Sequence, residues 1–524
     1  MGKLRMNGRV VPSAAAAIMD VIAAAESRFP VNDWLVGGTR VWPLIRTRLF
    51  FSASQSSYCD QVGTLTDFNA GRTLGRLAAI AFGPFHRWRA MARDSHRNAP
   101  LNESADVLCL SDGVSFSLVG GTWYERFLDP LIECASGLGL RARLMVPTHD
   151  YLLPRHTPSV WVQPGIDWHN LRGFAETMLL PLQVRFRDYQ QFIDFVSSRR
   201  LPTHAIRVGK ICADTHRILS VARYYRRYLE RIRPRLACVV NYYGIEGFGF
   251  LKACRDIGIV TVDLQHGVQG ELHPAYGRFY SAPTDGYDLL PDFFWCWSET
   301  EAEAIQAWQK GRVVRHEPIV GGNPWLEAWR SQEASLVKQY DEKVAEMIDL
   351  TDGRRHVLVT LQFGLRDDEL LAPALRLMHT AGKGWYWWVR VHPSMRDRAR
   401  EVIRALKESN LGNWNVEDAS SLPLYALLRH VDVHITHSSS TVLEAQVFGI
   451  HSLVGSEYGA ELYKEQIQKG VAISIPFDSP KAPAVLEAQA RAKAIPVSDC
   501  ACGSRARDAF TALCRKVGLE LQPS

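Results

Sequence analysis

The sequence has no long apolar run. No stretch of its 524 residues approaches the roughly eighteen consecutive apolar positions of a membrane-spanning helix. The ten cysteines are scattered, with no C-x-x-C and only Cys500-x-Cys502 as a near pair. That pattern excludes a disulfide framework and a zinc-binding pair of pairs, and leaves buried free thiols in a reducing compartment. No internal repeat recurs at a fixed period. Charge of one sign is also scarce. The net formal charge is +6, and residues 1–100 alone hold 13 Lys/Arg against 6 Asp/Glu, so the rest of the chain is close to neutral. An excess this small and local excludes a nucleic-acid-binding protein. It fits better with a face that leans on an anionic membrane surface. A D-x-D in a strand-end loop is missing too, so no diphosphate-bridging metal is expected. The acidic runs Asp367-Asp368-Glu369 and Glu417-Asp418 read as helix-start and surface residues. The basic N-terminus runs into an Ala-rich stretch broken by Asp20. This lacks the pattern of a signal peptide, and a cytoplasmic protein is expected.

What is present is the composition of a soluble globular protein, 47% hydrophobic and 22% charged. The length predicts two to three domains. Residues 1–100 read as a basic, mainly helical extension. Within it, 74–93 mixes apolar and aromatic residues with Arg76, Arg87, Arg89 and Arg93. That is either an interfacial membrane element or a packed helix pair broken at Gly83-Pro84. From 106 onward strands and helices alternate. Strands are predicted at 106–110, 141–146, 236–240, 257–264, 292–298 and 313–320, and again at 357–362, 385–391, 431–436, 451–454 and 471–475. Helices are predicted between them, including 123–139, 172–231, 299–310, 369–381 and 396–409. Alternation of this kind implies parallel sheets with helices on both faces. Two α/β domains are expected, 101–335 and 336–524.

The most informative stretch is V-D-V-H-I-T-H-S-S-S-T-V-L-E-A-Q-V-F-G at 431–449. A buried strand runs into the hydroxyls Ser438, Ser439, Ser440 and Thr441, and then into a helix that Gly449 can stop. Strand, polar turn and helix start can present free N–H groups to an anion. An ordinary capped helix has the same signature. Glu444 lies one turn into the helix on the face of Ser440 and Thr441, where a carboxylate suits ribose hydroxyls better than phosphate. A second stretch, W-Y-W-W-V-R-V-H-P-S at 385–394, places His392-Pro393 directly after a buried strand. Ligands of open parallel sheets bind at strand C-terminal ends, so the two stretches can share one crevice. Arg390 or Arg396 could add positive charge there, and Gln362 ends the first strand of the same domain.

R-V-H-P at 390–393 with H-S-S-S-T-V-L-E at 437–444 resembles the C-terminal domain of GT-B glycosyltransferases of bacterial surface-polysaccharide (capsule and lipopolysaccharide) biosynthesis. Similar groups are Kdo transferases, polysialyltransferases and CDP-glycerol transferases. The resemblance is strongest over 355–475, weaker over 236–325 where Q-H-G stands at 265–267, and absent over 1–100. It implies a GT-B-like fold with two facing Rossmann-like domains. It also implies that His392, Pro393, Ser438, Ser439 and Ser440 hold the nucleotide phosphate and Glu444 the ribose. A nucleotide sugar is then the substrate, with cytidine favoured, and no further cofactor is implied. The acceptor is a growing glycan or glycolipid.

Sugar transfer needs a base near the acceptor hydroxyl, or a carboxylate nucleophile if configuration is retained. Asp112, Glu246 and His266 each follow a predicted strand of the first domain. Each also has an ordinary reading, as a turn former, a helix-start acid and a structural histidine. Asp263, on the same strand, is a lesser candidate. Other functions compatible with the motifs are a CDP-glycerol-type polyol-phosphate transferase, a nucleotide-sugar epimerase and a non-catalytic scaffold of a polysaccharide assembly complex.

Overall fold

The computed structural model describes residues 14–53, 104–149, 152–330, 334–351, 353–362, 371–492 and 504–522. The candidate membrane stretch at 74–93 and the acidic run at 367–369 lie outside them. Among the described residues, no helix is long and apolar enough to cross a membrane.

Two parallel sheets organise the chain. The first holds Val107–Leu110 (β1), Ala142–Val146 (β2), Ser159–Trp161 (β3), Leu236–Val240 (β4), Val260–Leu264 (β5), Phe293–Cys296 (β6) and Glu317–Val320 (β7). Its order is β7-β6-β5-β4-β1-β2-β3, parallel throughout. The second holds Arg355–Thr360 (β8), Trp385–Arg390 (β9), Trp414–Asn415 (β10), Val433–Thr436 (β11), His451–Val454 (β12) and Ala472–Ser474 (β13). Its order is β10-β9-β8-β11-β12-β13, again parallel. Strands β1, β4, β11 and β12 are buried on both faces. That is why they read as near-continuous apolar runs. Strand order reverses beside the first strand of each sheet, at β1/β4 and at β8/β11. These are the switch points where doubly wound sheets open a ligand crevice. The architecture is two Rossmann-like domains in a GT-B-like arrangement, with a mainly helical N-terminal region.

Local departures from the expected elements have local causes. Residues 123–139 do not form one helix. Phe116–Val119 and Thr122–Glu125 pair as a hairpin, and the helix begins only at Asp129. Gly120 and Gly121, with φ of 55° and 81°, make the two-residue turn that a hairpin of this kind requires. The predicted strand at 313–320 shortens to β7, and the helix over 172–231 divides into Gln163–Leu179, Tyr189–Ser198 and Val208–Ile232. Gly449 ends the helix Thr441–Val447 with φ of 72°, as expected. The last helix, Ser504–Lys516, does not stay with the second domain. Its Ala506, Phe510, Leu513 and Cys514 are buried against Leu131, Leu138 and Leu144 of the first.

The described N-terminal residues are part of the first domain's core. Trp34 and Trp42 are fully buried with Phe192 and Tyr189. A buried ion pair pins the region to the long segment after β5. Glu26 Oε1 accepts from Arg46 Nη1 at 3.1 Å and from Trp42 Nε1 at 2.7 Å, and Arg46 Nη2 donates to the Gly277 carbonyl at 2.7 Å. Removing one member strands a buried charge. Glu26→Ala is therefore expected to lower unfolding stability by about 3–5 kcal/mol, and Glu26→Gln by less. Urea denaturation checks this; equal losses in the two variants would contradict it.

Candidate active site

The second domain's half of the site is built around Gln362, just past β8. Its Oε1 accepts the Ser438 N–H at 2.6 Å, and its Nε2 donates to Ser438 Oγ at 3.2 Å. This fixes the first hydroxyl of the turn after β11. The turn then closes on itself: Ser439 N donates to Thr436 Oγ1 at 3.2 Å, and Ser439 Oγ meets Thr441 Oγ1 at 3.0 Å. Buried Tyr463 donates to the Ser438 carbonyl at 2.9 Å. Ser440 makes no side-chain cap to its own helix. A β-carbon placed on Gly267 would come to 4.0 Å from Ser440 Oγ. The Q-H-G loop of the first domain therefore faces the hydroxyl turn of the second.

Glu444 is buried. Its Oε1 accepts from Tyr425 Oη at 2.5 Å, and Tyr425 Oη accepts from Asn323 Nδ2 at 3.3 Å. Burial raises the Glu444 pKa, opposed by the Tyr425 hydrogen bond and the Arg126 and Arg390 charges. Arg390 uses Nη1 on the Ala419 and Leu422 carbonyls, both at 2.6 Å. Desolvation brings its pKa down to about 9. One face of that guanidinium is thus committed to the backbone. His392 follows β9, and Pro393 opens the short 3-10 helix Pro393–Arg398. Burial, with Arg126, Arg390 and Arg396 assisting and Asp112 opposing, holds the His392 pKa at about 4. Its ring is neutral at pH 7.

Across the cleft, Asp112 and His266 come together with His392; Glu246 does not. The Asp112 carboxylate acts on both imidazoles. It also orders its own loop, accepting from Val114 N, Ser115 N and Ser115 Oγ at 2.9, 2.8 and 2.6 Å. His266 Nε2 meets Tyr243 Oη at 3.3 Å, and the Tyr243 ring lies nearly parallel to it at 6.0 Å. His266 Nδ1 is buried without a well-aligned partner, although the Leu264 carbonyl favours its protonation. Burial lowers the His266 pKa and Asp112 partly offsets this. Glu246 faces another layer. It accepts from Asn170 Nδ2 at 3.4 Å and bears on buried Tyr225. Asp263 is fully buried on Tyr276 Oη at 2.9 Å and Tyr242 N at 3.3 Å.

Two residues of the cleft were not foreseen. Arg126 follows the hairpin and donates through Nε to the Ser115 carbonyl at 3.3 Å. Its charge reaches His266, His392, Arg390, Tyr425 and Glu444, so it stands between the domains. Glu125 is fully buried, accepting from Phe127 N at 3.0 Å and Leu128 N at 2.5 Å. Burial, Asp112 and Asp129 raise its pKa well above the usual range, opposed by the Leu128 and Phe127 N–H groups. Both depend on the hairpin that the helical reading of 123–139 concealed. Arg396 bridges the same gap, its guanidinium 5.0 Å from the Trp123 ring.

Fold and site define a two-domain α/β protein with a cleft lined by strand-end loops of both sheets. No protein-family model matches the sequence, and a search of curated proteins finds no match. Among solved structures, the chain is similar to the UDP-GlcNAc 2-epimerase of Methanocaldococcus jannaschii in complex with UDP-GlcNAc and UDP. The identity is 10%, the TM-score 0.48, and the match covers 78% of this chain and 99% of that one. The UDP-GlcNAc 2-epimerase of Neisseria meningitidis bound to UDP-GlcNAc matches at 11% identity and TM-score 0.48, with the same coverage. A glycosyltransferase of Streptomyces nogalater matches at 15% identity and TM-score 0.39, over 78% of this chain and 99% of that one. At these scores the likenesses carry no argument about function.

The neutral His392 ring has a pH signature. Its folded-state pKa of about 4 lies below the ordinary imidazole value of about 6.5. Its contribution to stability is complete above the ordinary value and is lost as pH falls toward 4. An NMR titration of the ring protons is expected to show a midpoint near 4; a midpoint at the ordinary value would contradict this environment.

Proposed function

We propose that the protein is a metal-independent glycosyltransferase that moves a sugar from a nucleotide-sugar donor to a growing bacterial surface glycan or glycolipid. The donor nucleotide is cytidine, with Kdo or another CMP-linked sugar as the group transferred. The observation that carries the reading is the convergence on one cleft of Asp112 and His266 with His392, Arg126, Glu444 and the Ser438–Thr441 hydroxyls. The cytidine preference rests on the resemblance of the R-V-H-P and H-S-S-S-T-V-L-E motifs alone.

In this reading the donor phosphate lies against the hydroxyl turn. A neutral imidazole at His392 donates one N–H to it, and Arg126 adds charge from the opposite domain. Glu444 keeps an oxygen for the ribose hydroxyls while Tyr425 holds the other. His266 is neutral, the form that can accept the acceptor's proton. When it does, the Asp112 carboxylate stabilises the imidazolium. Breaking the sugar–phosphate bond places negative charge on the leaving phosphate, where His392 and Arg126 oppose it.

Calorimetry with CMP and UDP tests the assignment. His392→Ala and Arg126→Ala are each expected to weaken CMP binding by about tenfold to a hundredfold without moving the thermal midpoint of the free protein by more than a few degrees. Glu444→Ala is expected to weaken it similarly and also to lower the midpoint, because it strands the buried Tyr425 hydroxyl. Unchanged affinity in all three variants would overturn the site. Conversion of a UDP-sugar with no acceptor present would replace transfer by epimerisation.

A further inference from the structure

Eleven large apolar side chains stand exposed among the described residues, and five of them come from residues 178–208: Met178, Leu179, Leu180, Val184 and Val208. Met178, Leu179 and Leu180 follow one another at the end of the helix Gln163–Leu179. Helices Gln163–Leu179 and Val208–Ile232 pack antiparallel. His169 Nδ1 meets Ser220 Oγ at 3.1 Å, and a β-carbon on Gly173 would strike the Arg217 backbone at 2.7 Å. The end of the first helix therefore lies beside the start of the second. The connecting chain then turns back along the second helix: Val184 and Arg185 pair antiparallel with Val36 and Leu35, and a β-carbon on Gly37 would meet both Leu182 and Leu219.

This end of the helix pair projects past the edge of the sheet that carries the site. At the far end, the Ile232 carbonyl accepts from Ala105 N, next to the start of β1. Asn170 is level with Glu246, which follows β4. Leu179 lies nine residues further along the same helix, about 13 Å beyond. It is 76% exposed, and Met178 is 69% exposed. A single exposed leucine is ordinary, but three consecutive exposed apolar side chains, Met178, Leu179 and Leu180, form a patch. The surrounding sequence has an excess of basic residues, although Arg187 is paired with Asp188 and Lys210 with Asp214. Residues 178–210 hold six Lys/Arg, at 185, 187, 199, 200, 207 and 210, against Asp188 and Asp194. The nearby Glu176 is already paired with Arg172 and Arg223.

We propose that this tip docks the protein on an anionic lipid bilayer. The apolar side chains enter the headgroup boundary and the guanidinium groups meet lipid phosphates. Charge complementarity selects the occupant. A second copy would set one basic stretch against another, whereas an anionic bilayer presents phosphates to it. Docking in this way turns the cleft edge of the first sheet toward the membrane. The inference is separate from the donor assignment, since none of these side chains is among those placed in the cleft.

The test is co-sedimentation of the full chain with vesicles of phosphatidylcholine alone and of phosphatidylcholine with phosphatidylglycerol. Binding is expected only to the anionic vesicles, weakening as salt rises. The double substitution Leu179→Glu with Leu180→Glu should abolish it. Arg185→Gln and Arg207→Gln should each weaken it roughly fivefold. The thermal midpoint and CMP calorimetry of each variant confirm that it is folded. Three results would each overturn the proposal: no binding of the unaltered protein to anionic vesicles; sedimentation of the double variant equal to the unaltered protein, which assigns binding to another segment; or a dimer that the double variant reduces to a monomer in light scattering.

Discussion

A chain of three hydrogen-bonded side chains, Asn323 to Tyr425 to Glu444, ties the two domains together at the cleft. All three are buried. In a low-dielectric interior such a chain must be satisfied as a unit, because any unpaired member carries the full cost of its desolvation. The chain sits on an aromatic layer shared by the domains. Trp325 lies nearly parallel to Tyr124 with ring centroids 4.7 Å apart, and Trp329 packs on Tyr340 and Tyr425. With the polar chain on top and this apolar layer beneath, the mutual setting of the two sheets follows from the same residues that orient Glu444. The switch point between β8 and β11 then inherits its position, and the Gln362 grip on Ser438 completes it.

Burial decides which groups in this cleft are charged. It leaves His392 and His266 as neutral rings and pushes the Glu125 pKa up. Arg126 and Arg396 bring guanidinium groups to the gap from opposite domains, and Arg396 lies over Trp123. Neutral imidazoles next to guanidinium groups suit an anionic ligand whose charge grows during reaction. They supply hydrogen bonds and field without a proton having to be lost first. Asp112 is placed differently. Fixed by three hydrogen bonds in its own loop, it can stabilise a charged imidazole without moving.

The parts of this arrangement legible in the sequence are those with a local signal. The apolar run into four hydroxyls at 433–441, and the aromatic strand into His392, are strand-end patterns that need no tertiary knowledge. The alternation of strands and helices sufficed for two parallel sheets. What escaped notice depends on contacts distant in sequence. Tyr425 is an unremarkable apolar-helix position until Asn323 and Glu444 are seen on either side of its hydroxyl. Trp123 and Tyr124 blend with the helix that follows, and only the positive φ values at Gly120 and Gly121 separate them into a hairpin. With the hairpin hidden, Glu125 and Arg126 had no assigned place. The last helix packs on the first domain because its apolar face matches Leu131 and Leu138, which no local pattern records. Gln362 was seen as a strand end, but its grip on Ser438 is visible only in three dimensions.

The proposed function makes the cleft a donor site for a cytidine nucleotide. Protection against thermal unfolding across a panel of nucleotides and nucleotide sugars tests it most directly. A ligand that binds only the folded form at about a hundred times its Kd adds on the order of 2.7 kcal/mol. A raised midpoint is expected with CMP or a CMP-linked sugar, and little change with uridine or adenine nucleotides. A rise with UDP-sugars alone would contradict the cytidine assignment, and no rise with any nucleotide would contradict the donor site itself.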